Sequence, residues 1–260
     1  MRARTHRAES PLRIEIVANH EDLSRRAERH VLSALRRKPD LLLGVATGAT
    51  PARTYERLVA RASAASGPFR RLRVLGLDEW LGLPAGHPAT CETYIRERIL
   101  GPLRIPRSRF HGFRAASARP PAEALRLSRW LERHGPIDLC LLGLGRNGHL
   151  LMNEPADALR PRAHVATLAE STRRHSMLTG VRLAPRRGLT FGVAEVLRSR
   201  NILLLVSGRH KRRALARMLE GTVSTSCPAS FLWLHPDVTV LCDRAAAPVP
   251  RKGHSRRRGR

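Results

Sequence analysis

Four short segments hold residue types that could do chemistry. The first runs Gly143-Leu144-Gly145-Arg146-Asn147-Gly148-His149 and is followed by Asn153-Glu154-Pro155. Three glycines around one histidine let backbone and imidazole come close to a small ligand. Glu154 lies five residues beyond His149, near enough to fold back, orient the ring and stabilise its cation. A histidine held by a carboxylate can exchange protons near neutral pH, the work of a general acid or base. A histidine satisfied within its own loop is the plainer alternative. The glycine spacing also fits a dinucleotide fingerprint. It lies mid-chain, however, with no long helix after it and no acidic partner for a ribose, so that reading is rejected.

The second segment is Asp78-Glu79-Trp80. One of two adjacent acids at a strand end could be a general base; a helix cap or a loop acid is the alternative. The third is Ala46-Thr47-Gly48-Ala49-Thr50-Pro51. Gly48 permits an unusual backbone angle, and Thr50 can cap a helix that Pro51 begins. Backbone N–H groups and hydroxyls at a helix start make a phosphate cradle, although a purely structural corner would look the same. No GK[ST] follows, so it is not a Walker loop. The fourth is Ser207-Gly208-Arg209-His210-Lys211. Lys211 could meet a phosphate as a point charge, or simply be a surface cation at a helix start.

These segments need a scaffold. Strands are expected at 14–17, 41–46, 72–77, 138–144, 201–206 and 238–242, from short apolar runs. Helices are expected at 21–37, 51–65, 92–100, 121–133, 189–197 and 210–219. Uninterrupted apolar strands alternating with helices predict an α/β fold: a mostly parallel, Rossmann-like open sheet with helices on both faces. Ligands of such sheets sit at the carboxyl ends of the strands, which is where all four segments fall. Residues 13–245 are expected to form one domain. Residues 1–12 and 246–260 read as basic tails, the second ending RKGHSRRRGR, a solvated end rather than a binding arm.

Composition narrows the function. The 260 residues carry 48 Lys plus Arg against 21 Asp plus Glu, a net charge of +27. Such an excess raises nucleic acid as a partner. All but Lys38, Lys211 and Lys252 of these cations are Arg, the skew a GC-rich coding sequence leaves on a solvated surface. Aromatics are only 4%, too few for base-stacking platforms, and no DNA-reading module is evident, so nucleic acid is not expected as a partner. No run of 18 apolar residues exists and no apolar signal core follows the charged start, so no membrane is expected. Cys91, Cys140, Cys227 and Cys242 are scattered and fit reduced thiols in a cytoplasmic protein rather than zinc or disulfides.

In combination the segments are far more specific than any one alone. ATGATP, LDEW, LGLGRNGH with NEP, and SGRHK in this order resemble the glucosamine-6-phosphate deaminase/isomerase family, within the superfamily shared with 6-phosphogluconolactonases. The resemblance covers roughly residues 12–243. LDEWLGLP with TCETY, RRHSML, and VSTSCPASFLWLH are most similar to the galactosamine-6-phosphate branch. It implies conversion of an amino-sugar 6-phosphate to a ketose 6-phosphate plus ammonia, without metal or organic cofactor, by an enzyme that commonly assembles as a homo-oligomer. By resemblance, Asp78 moves a proton between C2 and C1, His149 opens the pyranose ring, and Glu154 orients and tunes His149. Asn147 stands where some relatives place a second acid of that set. Thr47, Gly48, Ala49 and Thr50 match the phosphate loop, Lys211 a phosphate-binding lysine, and Gly145 lies in the histidine loop against the substrate.

There are departures. Ala49 replaces a common Ser, Asn147 brings no charge, and Leu178 stands where the glucosamine branch often has a phosphate-binding Arg. Arg173, Arg174 or Arg182 are the candidates to substitute. Two rival functions remain: a 6-phosphogluconolactonase sharing the fold, loop and His, and a non-catalytic sugar-phosphate sensor. The NEP segment and Asp78-Glu79-Trp80 speak against the first, and the intact Asp78, His149 and Glu154 set against the second.

Overall fold

The computed structural model describes residues 12–64, 67 and 69–248. Its strands are β1 (Leu12–Val17), β2 (Leu42–Val45), β3 (Arg73–Gly76), β4 (Asp78–Trp80), β5 (Phe110–His111), β6 (Leu139–Gly143), β7 (His164–Thr167), β8 (Arg187–Thr190), β9 (Ile202–Val206) and β10 (Val238–Asp243). Its α-helices are α1 (His20–Arg37), α2 (Ala49–Ala64), α3 (Cys91–Ile95), α4 (Pro120–His134), α5 (Glu170–Arg173), α6 (Val193–Leu197) and α7 (Arg212–Met218).

The larger sheet has the order β1-β10-β9-β6-β2-β3-β5, and every pairing in it is parallel. Both faces are covered, as the continuous apolar strands require. Leu42, Cys140, Leu142, Ile202 and Leu204 pack with Leu127 and Leu131 of α4, Val196 of α6 and Leu215 of α7. Their sequence neighbours Leu41, Leu43, Leu139, Leu141 and Leu203 pack on the other side with Leu23 and Val31 of α1 and Leu58 of α2. The alternation follows from the two-residue period of a strand. Asn19 starts α1 by accepting a hydrogen bond from the Asp22 amide at 2.9 Å.

The order of strands creates a switch point. From β2 the chain moves outward through α2 to β3; from β6 it moves the opposite way to β9. Between β2 and β6 the following segments therefore diverge and leave a crevice at the carboxyl ends.

A second sheet, β4-β8-β7, is antiparallel and was not foreseen. The helix expected at 189–197 is a correction: Arg187–Thr190 is strand β8, and only Val193–Leu197 is helical. The apolar run is too short to distinguish the two periods, and pairing with Asp78–Trp80 on one side and His164–Thr167 on the other decides for strand. Thr50 is a second correction. Helix α2 already begins at Ala49, so Thr50 lies inside its first turn rather than capping it. The expected tails lie outside the described residues except at their inner ends, where Leu12 starts β1 and Ala246 is buried, its amide bonded to Asp243 at 2.8 Å.

Candidate active site

A cavity of about 490 Å³ opens at the switch point. Thr47, Gly48, Ala49, Thr50, Asp78, Gly145, His149 and Lys211 line it, so four segments distant in sequence share one space. Asn147 and Glu154 stand behind His149.

The loop after β2 is fixed from outside. Gly48 has φ of +106°, and its carbonyl accepts a hydrogen bond from the Tyr94 hydroxyl at 2.7 Å. The Ala46 carbonyl is held by Tyr55 at 2.7 Å, and His20 Nε2 lies 2.9 Å from the Thr50 carbonyl. The first amides of α2 lack intrahelical partners and carry the positive end of the helix dipole, a setting for an anion. Lys211 stands in the 3-10 turn before α7 and donates to the Leu144 carbonyl at 2.5 Å. The turn leading to it is tied down by Asp243, which accepts from Ser207 Oγ at 2.5 Å and from the Gly208 amide at 3.1 Å. Burial and the charge of Arg146 lower the Lys211 ammonium to about 8, so it is charged at neutral pH. Neither Lys211 nor Arg146 has a carboxylate within ion-pair distance among the described residues. Two unpaired cations beside a helix start favour an anion.

The cavity also holds groups able to transfer protons. His149 Nδ1 lies 3.1 Å from Glu154 Oε2, which also accepts from Asn147 Nδ2 at 2.8 Å. Asn147 Oδ1 in turn accepts from the His149 amide at 3.1 Å, and Thr172 Oγ1 is 3.3 Å from Nδ1. Glu154 Oε1 accepts from the Ala169 amide at 3.2 Å. Burial raises the Glu154 acid, but the bonds from His149, Thr172 and Asn147 outweigh it and hold it near 2. An ionised Glu154 keeps the proton of neutral His149 on Nδ1, leaving Nε2 free to exchange one. Asn147 suits this place because its amide donates to Glu154 and accepts from His149, which a carboxylate could not do. Gly145 is needed for room: a Cβ there would lie 2.3 Å from the His149 ring.

The adjacent acids 78 and 79 have opposite settings. Glu79 is buried, and its carboxylate accepts from the amides of Trp80 and Cys91 at 2.8 and 2.9 Å and of Glu92 at 2.9 Å. It holds the start of α3. Asp78 is half-buried, and its Oδ1 is enclosed without a hydrogen-bond partner among the described residues. Burial raises its acid to about 6, while His149 and the Cys91 thiol act the other way. It is mostly ionised at neutral pH and is a ready proton acceptor. Leu151, on the same cavity wall, has φ of +54°, an uncommon angle for a side chain of this type.

The family described as glucosamine-6-phosphate isomerases/6-phosphogluconolactonase matches residues 17–241. The chain belongs to this family. It is 40% identical over 228 residues to the candidate deaminase AgaI of Escherichia coli (strain K12), covering 88% of this chain and 90% of that one. It is 38% identical over 231 residues to a glucosamine-6-phosphate deaminase of Geobacillus sp. (strain WCH70), covering 88% and 92%. The solved structure of a protein described as a monomeric glucosamine-6-phosphate deaminase superposes with a TM-score of 0.85 at 36% identity, over 90% of this chain and 98% of that one. A 6-phosphogluconolactonase of Trypanosoma brucei, 22% identical with a TM-score of 0.71 over 90% and 97%, shares the fold.

Within this family member, Leu178 is core. It is buried against Trp80, Leu83, Met152 and Leu168 under the small sheet. Of the three arginines proposed to substitute, Arg174 lines the cavity and is paired with Glu170, whereas Arg173 and Arg182 do not line it. Sequence reasoning missed Arg146, Thr172 and His175, all in the cavity wall. His175 stood within the RRHSML segment but had no chemical neighbour in the sequence to mark it.

Proposed function

We propose that the chain converts an amino-sugar 6-phosphate and water to a ketose 6-phosphate and ammonia. The observation that carries this is the shared cavity, which brings together an unpartnered Asp78 oxygen, a braced His149, a helix start, and Lys211 and Arg146 with no carboxylate partner among the described residues. Relatives 38% and 36% identical are named as deaminases, whereas the likeness to a 6-phosphogluconolactonase, at 22%, extends to the fold alone.

The chemistry follows from the residues. Phosphate is held by the 47–50 loop and Lys211, and this remote binding fixes the reacting carbons. His149 exchanges a proton with the ring oxygen as the C1–O5 bond breaks, and C1 becomes an aldehyde. The C2 proton is then acidic, and Asp78 takes it; the electron pair enters a C1–C2 double bond as the carbonyl pair moves to O1, which takes up a proton. Asp78 returns the proton to C1 while the amino group gives up one and forms a C2 imine. Water adds to C2, and ammonia leaves. Asp78 suits the shuttle because its acid near 6 can accept and return a proton at neutral pH. Glu154, near 2, stays an anion throughout and stabilises the imidazolium.

Galactosamine 6-phosphate is the first substrate on this reading, from the segments similar to that branch, with glucosamine 6-phosphate second. Ammonia release from both sugars in parallel, with 6-phosphogluconolactone hydrolysis as control, tests it. Release from either amino sugar supports the deaminase; lactone hydrolysis without ammonia release overturns it.

A further inference from the structure

His175 lies in the cavity wall and has no part in the chemistry above. Its Nδ1 accepts a hydrogen bond from the Met177 amide at 3.2 Å, at the start of the 3-10 turn Ser176–Leu178. A ring nitrogen that accepts carries no proton, so in the neutral ring the proton is on Nε2. That nitrogen has no hydrogen-bond partner among the described residues. It points at the phosphate loop: a Cβ built on Gly48 would lie 3.2 Å from Nε2 and 3.3 Å from Cε1. The ring is steadied by Trp80, whose centroid is 5.8 Å away. Burial, then the charges of Lys211 and His149, lower its basicity and favour the neutral ring.

We propose that His175 is a ligand of the substrate phosphate, donating Nε2–H to the oxygen that lies against Gly48. It is a third arm of the anion end, beside the amides of α2 and Lys211. Three features made for different reasons coincide here. The tautomer is set from the protein side, the free donor is in the cavity, and the loop residue facing it lacks a side chain. A larger residue at 48 would occupy the space between donor and phosphate. A neutral donor also adds a directed hydrogen bond without further charge crowding around Lys211. The inference rests on the phosphate orientation of the proposed function.

The test is direct binding of inorganic phosphate, by calorimetry, to the full chain and to His175→Ala and His175→Gln, alongside kinetics with galactosamine 6-phosphate. A lost hydrogen bond to a charged group predicts about tenfold or greater weakening of phosphate binding in His175→Ala. The Gln amide reaches the position of Nε2 and restores most of it. KM for the amino-sugar phosphate rises more than kcat falls. Phosphate binding by His175→Ala equal to wild type overturns the proposal, as does absence of phosphate binding by the wild-type chain. Equal losses in both variants, with unchanged unfolding midpoints, also overturn it, because the ring is then a brace for 176–178. A wild-type chain that binds phosphate through His175 but releases no ammonia keeps this inference and removes the proposed deaminase.

Discussion

The two carboxylates of the reacting end are built in opposite ways. Glu154 is surrounded by donors: His149, Asn147, Thr172 and the Ala169 amide. Asp78 has an oxygen with none. One acid is consequently held near 2 and the other near 6. In the proposed mechanism that difference separates a permanent counter-charge from a proton shuttle. Of two half-buried carboxylates, the one short of donors becomes a base and the one rich in them a brace. Glu79 departs from this pattern next door: burial outweighs its three amide bonds and pushes its acid up to about 7, while the same bonds hold the start of α3.

The largest break in this contrast is Asp78→Asn. Turnover should fall about 10³-fold or more, while phosphate binding persists. Steady-state ammonia release checks it, and near-wild-type turnover would discard the mechanism. The same variant should be more stable. The folded-state acid of Asp78 lies above its ordinary value of 3.8, so ionising it opposes folding. Its cost is absent below about 4, grows as pH rises to about 6 and is full above that. Denaturant unfolding at pH 7–8 should show a gain of about 1–3 kcal/mol for Asp78→Asn.

Disturbing the brace comes next. Glu154→Gln and His149→Gln should each lower turnover about 10²-fold. The His149 variant should lose less when substrate is supplied in open-chain form. Equal loss with both forms would refute ring opening by His149.

The pH profile sharpens the contrast without mutation. Asp78 must be ionised, so kcat/KM should fall about tenfold per unit below pH 6. Glu154 should add no further step until near pH 2. Lys211 loses its charge above about 8, so KM should climb there while kcat changes less. A profile flat between pH 4 and 7 would contradict the Asp78 assignment.

The smallest effect belongs to Cys91. Its thiol favours the Asp78 anion, so Cys91→Ala should move the acid limb to higher pH. A shift to lower pH would show that the thiol has the opposite role.

Much of this is legible in the amino-acid sequence. The six strands of the larger sheet expected from the sequence all exist; five of them, β1 at the edge excepted, are covered on both faces and cannot hide their composition. Their loops carry local marks too: Gly48 before a helix, and Gly145 and Gly148 around His149. The short strand β5, at the far edge, left no comparable run. The small sheet was illegible for the opposite reason. Its strands span three or four residues each, and Arg187–Thr190 becomes a strand only through partners twenty or more residues away in sequence. Roles set by such partners were hidden likewise. Nothing adjacent to Asp78 and Glu79 says which acid will find three amides, and nothing beside His175 says that its free nitrogen will face Gly48.

The pairing of β2 with β6 has a mechanical side. These two strands share only two register pairs, Leu43 with Leu139 and Gly44 with Cys140, fewer than any other pair of interior strands. This pairing is the thinnest of the sheet's interior seams, and the cavity lies over its end. On the proposed reading a sugar phosphate would be gripped from the β2 side at its phosphate and from the β6 side at its ring, so the ligand would act as a tie across the thinnest interior join of the fabric. Backbone amides flanking that seam should exchange more slowly once the tie is in place.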